Sequence, residues 1–476
     1  MEARVIFKNT VALSVATVLA RAISAVVGIF VTRYLGPAAS GEYATASTFV
    51  SMVILFTDFG LGQYIVQEGS REPKKLPGYL GNTLVFRALL ILVVDVIMWL
   101  AAKPLGYDSN VITMVAIFGL ANGAGALNNM FYNYFQARQE MYIAAIYQFL
   151  STFLIGLGTI VVLVLRYGVI QIAWAQAVVI ACITLLLYRA VTKATCLRLE
   201  PRSLGLMLRG GLPFGIAYLF YYIYFQIDSF MLSLMSSTVE VGTYAAAYRL
   251  ISVLLFIPGI LTSVLYPILY QLGVTNRDTH KQTVEKIFKF LAAIGLPVSL
   301  GLFLLADPII NLLYGHRFAN AGPALKILAW FFALEAMSFP IGDVLTTTDN
   351  QWIRTAIQGS AAVGNVLLNL FLIPRYGIYG ASAATLITET YILLAYLFAV
   401  RKKVYDVNVV KQLTGVGIAG LILGFILYLL SRYNPILALA LGGIAYLLVL
   451  DRLDKDIHGV IIYALGRMRI VKTVTR

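Results

Sequence analysis

Apolar stretches of about twenty residues follow one another along almost the whole chain, parted only by brief polar punctuation. A helix that crosses a bilayer needs about that many apolar residues. There are about fourteen such stretches, roughly at 10–32, 43–66, 80–101, 111–135, 143–165, 170–188, 212–235, 243–270, 287–305, 323–345, 355–374, 378–400, 413–431 and 435–450. No interval between them is long enough to fold as a separate catalytic domain; the longest is a basic loop from Arg189 to Gly211. Composition agrees: 60% of residues are hydrophobic and 12% charged, with mean hydropathy +0.84, whereas soluble domains carry about 25% charge. The expected fold class is an all-α polytopic membrane protein.

The net charge of +14 would suit a nucleic-acid binder if it were spread over one surface. Instead it alternates with the spans. With the N-terminus inside, twenty-six Lys and Arg fall on the cytoplasmic side, against Arg33, Lys103, Arg166, Arg317, Arg375 and Arg432 opposite. That bias is the positive-inside signature. It predicts a multi-pass protein of the inner (cytoplasmic) membrane with both termini in the cytoplasm, and no nucleic-acid partner. The first apolar run lacks a small-residue cleavage site and reads as a retained helix. Cys182 falls in a span and Cys196 in a cytoplasmic loop, so no disulfide is expected.

Two internal matches divide the chain. Gly41-Glu42-Tyr43-Ala44 recurs as Gly242-Thr243-Tyr244-Ala245, with Ser51 matching Ser252, and Arg166-Tyr167-Gly168 recurs as Arg375-Tyr376-Gly377. Nearly equal offsets predict two six-helix lobes as parallel repeats, an arrangement found in transporters with the substrate site between the repeats. The expected divisions are 1–200 for the first lobe, 201–405 for the second, 406–450 for an extra helix pair, and 451–476 for a basic tail. In the tail, Ile457, Val460, Ile461, Ala464, Leu465 and Met468 recur at the spacing of an amphipathic helix lying on an anionic leaflet. Prolines sit in loops in the first half, but Pro258, Pro297 and Pro340 fall inside predicted helices, where each favours a bend.

Ionisable and amide side chains within spans are costly and mark candidate sites. Arg21 lies mid-span on a face with Ser14, Thr17, Ser24 and Gly28; Arg87 and Asp95 share the third span, and Arg249 lies in the eighth. Buried guanidinium groups suit phosphate oxygens. They equally suit internal pairing with Asp58, Asp95, Asp228, Glu335 or Glu389. Asn122, Asn129, Asn133 and Gln136 form one polar stripe, and Gln358, Asn365 and Asn369 another; amides bind sugar hydroxyls and also join helices. The seventh span carries Tyr218, Tyr221, Tyr222, Tyr224 and Phe225, aromatic faces suited to sugar rings or to helix packing. Asp228 and Glu389 are candidates for coupling an ion. Gly119–Gly123, Gly211–Gly215 and Gly420–Gly424 have close-packing spacing. The chain has no phosphate-binding GxxxxGK[ST] loop, and its three histidines are dispersed, so neither ATP hydrolysis by that route nor a metal or cofactor is expected.

Residues 9–68, with Arg33-Tyr34-Leu35-Gly36-Pro37, Gly41-Glu42-Tyr43 and Asp58-Phe59-Gly60-Leu61-Gly62, resemble the start of the polysaccharide-transport (O-antigen flippase) family of the multidrug/oligosaccharidyl-lipid/polysaccharide exporter superfamily. Leu313-Tyr314-Gly315-His316-Arg317-Phe318-Ala319 resembles its outer loop before the tenth helix. The resemblance implies two six-helix lobes around a central cavity that alternates between faces, plus an extra C-terminal helix pair. It also implies a polyprenyl-pyrophosphate-linked oligosaccharide as substrate, with Arg21 and Arg249 fitting the cationic positions that hold the pyrophosphate. Membrane lipids and the glycosyltransferases or polymerase of the same pathway would be its partners. The competing readings are a cation-coupled exporter of small drugs, a membrane glycosyltransferase or polymerase, and a non-transporting envelope scaffold. Short loops speak against the enzyme, and basic span residues against the drug exporter.

Overall fold

A computed structural model describes residues 2–431, 433–454 and 456–459, and among them every regular element is helical. The chain divides into two compact units, Met1–Ala246 and Ala247–Arg476.

The first unit holds α1 (Glu2–Ile54), α2 (Leu61–Arg71), α3 (Leu76–Ala102), α4 (Ser109–Ala137), α5 (Met141–Val164), α6 (Val169–Ala194), α7 (Pro201–Met235) and the start of α8 (Thr238–Leu254). The second holds the rest of α8, then α9 (Phe256–Thr275), α10 (Arg277–Leu304), α11 (Ala306–Tyr314), α12 (Ala321–Thr347), α13 (Gln351–Lys403), α14 (Val409–Leu430) and α15 (Pro435–Leu453). Eleven helices among the described residues are long and apolar enough to cross a membrane. Two of these, α1 and α13, are each a pair of spans joined at a glycine: Gly36 (φ 74°) and Gly377 (φ 53°). With the 35-residue α7, the described residues therefore supply the fourteen spans that hydropathy predicts. Positive φ is a glycine conformation, and Pro37, whose missing N–H costs nothing in a first helical turn, restarts the helix after Gly36.

Three expectations change. The second span does not run unbroken over 43–66. The chain leaves α1 at Ile54, passes through one 3₁₀ turn at Leu55–Thr57, and turns at Phe59 (φ 47°) and Gly60 (φ 73°) before α2 begins. Hydropathy is blind to this break because Leu55, Phe56 and Phe59 are as apolar as a helix interior. The eighth span splits at Leu255, where Pro258 lacks the N–H that would bond the Leu254 carbonyl. Finally, the basic loop expected from Arg189 to Gly211 shrinks to residues 195–200. Helix α6 continues to Ala194, and Pro201 opens α7 in the position where proline is tolerated. The division between units falls after Ala246, so α7 packs with α1, α2 and α3. Pro297 and Pro340 do lie inside α10 and α12. Most of the tail's amphipathic pattern, Val460 to Met468, lies outside the described residues.

Close packing explains several glycines. Gly119 and Gly123 of α4 make room for Asp95 and Ile91 of α3, while Gly211 and Gly215 of α7 receive the Phe59–Gly60 turn. The repeated motif has a structural counterpart in the first unit: Gly242 lies against the backbone of Gly41 and the Pro37 carbonyl, and Gly41 against the Thr238 carbonyl. A Cβ on either would collide with main chain. The apolar core of this unit gathers Phe49, Val50, Met98, Met114 and Phe118 at one end and Leu61, Ile65, Leu80, Phe131 and Leu187 at the other.

Candidate substrate-binding site

Between the two cores of the first unit the packing opens into a cavity of about 370 Å³. Its walls come from the end of α1, from α3 through Arg87, and from α4 through Asn122, Asn128, Asn129 and Tyr132. Helix α5 adds Gln148, Ser151 and Thr152, α6 Ile180, and α7 Tyr222. A side chain one helical turn from another shares its face, which is how the α4 stripe from Asn122 to Asn129 reaches a single chamber. Helix α5 does the same with Gln148, Ser151, Thr152 and Ile155. That stripe was readable by the same criterion, since its three polar residues stand in an otherwise apolar run.

Arg87 forms part of the cavity wall and is almost fully buried, 2% exposed. It pairs with Asp58 through Nη2, and donates from Nη1 to the Ala126 carbonyl at 3.0 Å and from Nε to that of Thr57 at 3.4 Å. Internal pairing is thus the state of this arginine. Asp58 Oδ1 also accepts the Gly62 N–H at 3.2 Å in the first turn of α2. A carboxylate there satisfies a donor that the helix leaves open and complements the positive end of its dipole. One carboxylate therefore ties the cavity wall to the backbone break.

The rest of the lining is neutral and suited to hydrogen bonding. Asn122 donates to the Phe118 carbonyl of its own helix at 3.0 Å. The Asn129 side chain is exposed, and the buried Asn128 Oδ1 has no hydrogen-bond donor among the described residues. Tyr222 hydrogen-bonds with Ser51 and Gln226. Amides, hydroxyls and two phenol rings in one chamber can meet a ring that carries hydroxyls. The side chains of Tyr218, Tyr221 and Tyr224 lie outside the described residues.

The remaining candidates stand elsewhere. Arg21 is exposed on α1 in the first unit, and Asp228 is buried on α7. Arg249 is half-buried on α8 in the second unit, near enough to Tyr314 at the end of α11 to pull its phenol back while burial pushes it up to about 12. Asn365 is buried in α13, donating to Thr388 Oγ1 at 3.4 Å and accepting from Asn369 at 2.8 Å. Glu389, fully buried next to Thr388 in the chain, is hydrogen-bonded to Glu335 of α12. Arg87 and Asn129 thus share one cavity, while Asn365 and Glu389 belong to a polar interior of the second unit. Sequence reasoning also missed an ion pair in that unit, the half-buried Arg354 Nη1 with the buried Asp343 Oδ1 at 2.9 Å, because its partners sit on different helices.

Comparisons with known proteins follow the same lines. A family model described as polysaccharide biosynthesis protein matches residues 6–273, and one described as MatE matches residues 213–371. Among curated relatives, the chain is 24% identical over 168 residues to the "Probable low-salt glycan biosynthesis flippase Agl15" of Haloferax volcanii, covering 34% of this chain and 35% of that one. It is 23% identical over 220 residues to the "Probable flippase AglR" of the same organism, covering 45% of each. The matches thus span less than half of either relative. Among solved structures, the lipid II flippase MurJ in an inward closed conformation superposes with TM-score 0.80 at 15% identity, covering 94% of this chain and 99% of that one. An inward-facing multidrug resistance MATE family transporter gives 0.66 at 16% identity, covering 83% and 99%. These likenesses establish the fold, an all-helical architecture shared with those two structures.

Proposed function

This chain belongs to the polysaccharide biosynthesis protein family, and from that membership we propose that it is a flippase. It moves a polyprenyl-(pyro)phosphate-linked oligosaccharide from the cytoplasmic to the outer leaflet by alternating access. Two curated relatives are named probable flippases, and the solved structures it superposes on include a lipid II flippase and a MATE family transporter. The observation that carries the reading is the cavity of the first unit. It is a chamber within a membrane protein lined by amides, hydroxyls and phenols, the groups that replace water around a sugar. Asn129 and Gln148 offer hydrogen bonds to the head group and Tyr132 and Tyr222 offer ring faces. Arg21 is the first unit's candidate cation for the (pyro)phosphate and Arg249 the second unit's, and the lipid tail stays in the bilayer. Arg87 holds the chamber wall through Asp58.

Glu389 in contact with Glu335, and the buried Asp228, are the groups we assign to exchange of a coupling proton or monovalent cation, should transport use one. Those same acidic groups, with the MatE match, favour the second reading, an exporter of small cations. Reconstituted vesicles separate the two. The lipid-linked oligosaccharide should appear on the far leaflet at a rate that falls at least about tenfold in Arg21→Ala, the loss typical of one charge-assisted contact. Wild-type transport of a small cation with no movement of the lipid-linked sugar would overturn the flippase reading.

A further inference from the structure

A second hollow, about 150 Å³, adjoins the backbone break and is lined by Phe56, Phe59, Gly60, Leu212, Gly215 and Ile216. The chain builds it from missing side chains. Gly60 turns in the left-handed region against Gly211 and Gly215, and a Cβ at either α7 glycine would strike that turn. Around the turn stand Phe56, Leu212 and Ile216, 53%, 45% and 45% exposed, so the groove is apolar and open. Its polar member is Asp58, which also lines the amide-rich cavity. A polar chamber and an apolar groove meeting at one residue have the shape of an amphiphile.

An apolar cavity of about this volume can hold a six-carbon ring, and so accommodates one branched five-carbon unit.

Resting on the flippase reading, we propose that this groove seats the isoprenoid unit next to the phosphate of a polyprenyl-linked substrate, while the sugar occupies the adjoining cavity. The groove then reads the branching of the carrier, as the cavity reads the head.

The test compares two substrates with one head group in reconstituted vesicles, one on a polyprenyl carrier and one on a straight saturated alkyl carrier. Wild type should flip the polyprenyl form about tenfold better, the discrimination that a hydrophobic pocket gives for one branch. In Ile216→Ser and Phe56→Asn the ratio of the polyprenyl rate to the alkyl rate should fall to about one. Equal rates in wild type, or a preference that survives both substitutions, would overturn the groove. Failure of wild type to flip either substrate would instead remove the flippase reading itself. As a check independent of turnover, benzoylphenylalanine introduced at Leu212 should crosslink the polyprenyl substrate in competition with unlabelled polyprenyl carrier. Competition by excess phosphatidylglycerol instead would identify the groove as ordinary lipid contact.

Discussion

At the scale of single residues, the Arg87–Asp58 pair makes the sharpest prediction. Removing one partner of a buried ion pair strands the other, at about 3–5 kcal/mol, whereas replacing both with apolar groups of similar volume is often neutral. Arg87 is the buried member, 2% exposed against 35% for Asp58, so Asp58→Leu should lower the thermal unfolding temperature in detergent markedly, and Arg87→Met with Asp58→Leu should recover most of the loss. A double variant as unstable as the single would show that the pair's bonds to Thr57, Ala126 and Gly62 matter more than its charge balance. Sequence reasoning could read that Arg87 was costly and that Asp58 was a possible neutraliser. The choice between partner and ligand was not legible, because the two stand 29 positions apart and only the turn after α1 brings them together. Asn129 was legible as a member of a helical stripe; that Gln148 faces it across the same chamber depends on how α4 and α5 pack.

At the scale of elements, the joints govern. Gly60 has φ 73°, and its missing side chain is where the Gly211 backbone lies. Gly60→Ala should cost about 2 kcal/mol or more from backbone strain and displacement of α7, seen as a lowered midpoint of unfolding. The same substitution at Gly106, also at positive φ (81°) but facing open space, should cost less. A second joint fastens the chain after α15. Lys289 of α10 contacts Asp454 at 2.9 Å and Asp456 at 2.7 Å. Its hydrogen bond holds the Asp456 carboxyl below the usual carboxylate range. A depressed carboxylate stabilises above its unfolded value and loses that contribution as pH falls through its folded one. Protection factors against hydrogen exchange at 456–459 should then be high at neutral pH and fall below about pH 4, the ordinary carboxylate range. An unchanged protection factor at pH 3 would assign the docking to Ile457 packing alone. The spans were legible because twenty apolar residues are hard to mistake. The joint at Gly377 closes the Arg-Tyr-Gly motif that marks the repeat, and Gly36 stands in the Arg33–Pro37 stretch that carries the family resemblance, but the breaks at 55–60 and Leu255 are written in dihedral angles, which hydropathy does not record.

At the scale of the whole molecule, the proposed cargo is anionic, and the orientation expected from the charge bias of the loops has the cytoplasm on the basic side. Each negative charge carried outward gains about 2.3 kcal/mol per 100 mV of interior-negative potential, and a doubly charged head about twice that. A potassium diffusion potential imposed on vesicles should therefore drive the lipid-linked sugar toward the positive side. Accumulation that ignores the potential but follows a pH or sodium gradient would move the coupling onto Asp228 and Glu389.

The contact between Gly41 and Gly242 has a genetic corollary. Two copies of a motif that touch each other are inherited as one locus in effect, since a larger residue in one copy is felt first by its twin. Revertants of a damaging change at Gly41 should be sought around residues 238–242, some two hundred codons downstream, before anywhere nearer in the gene.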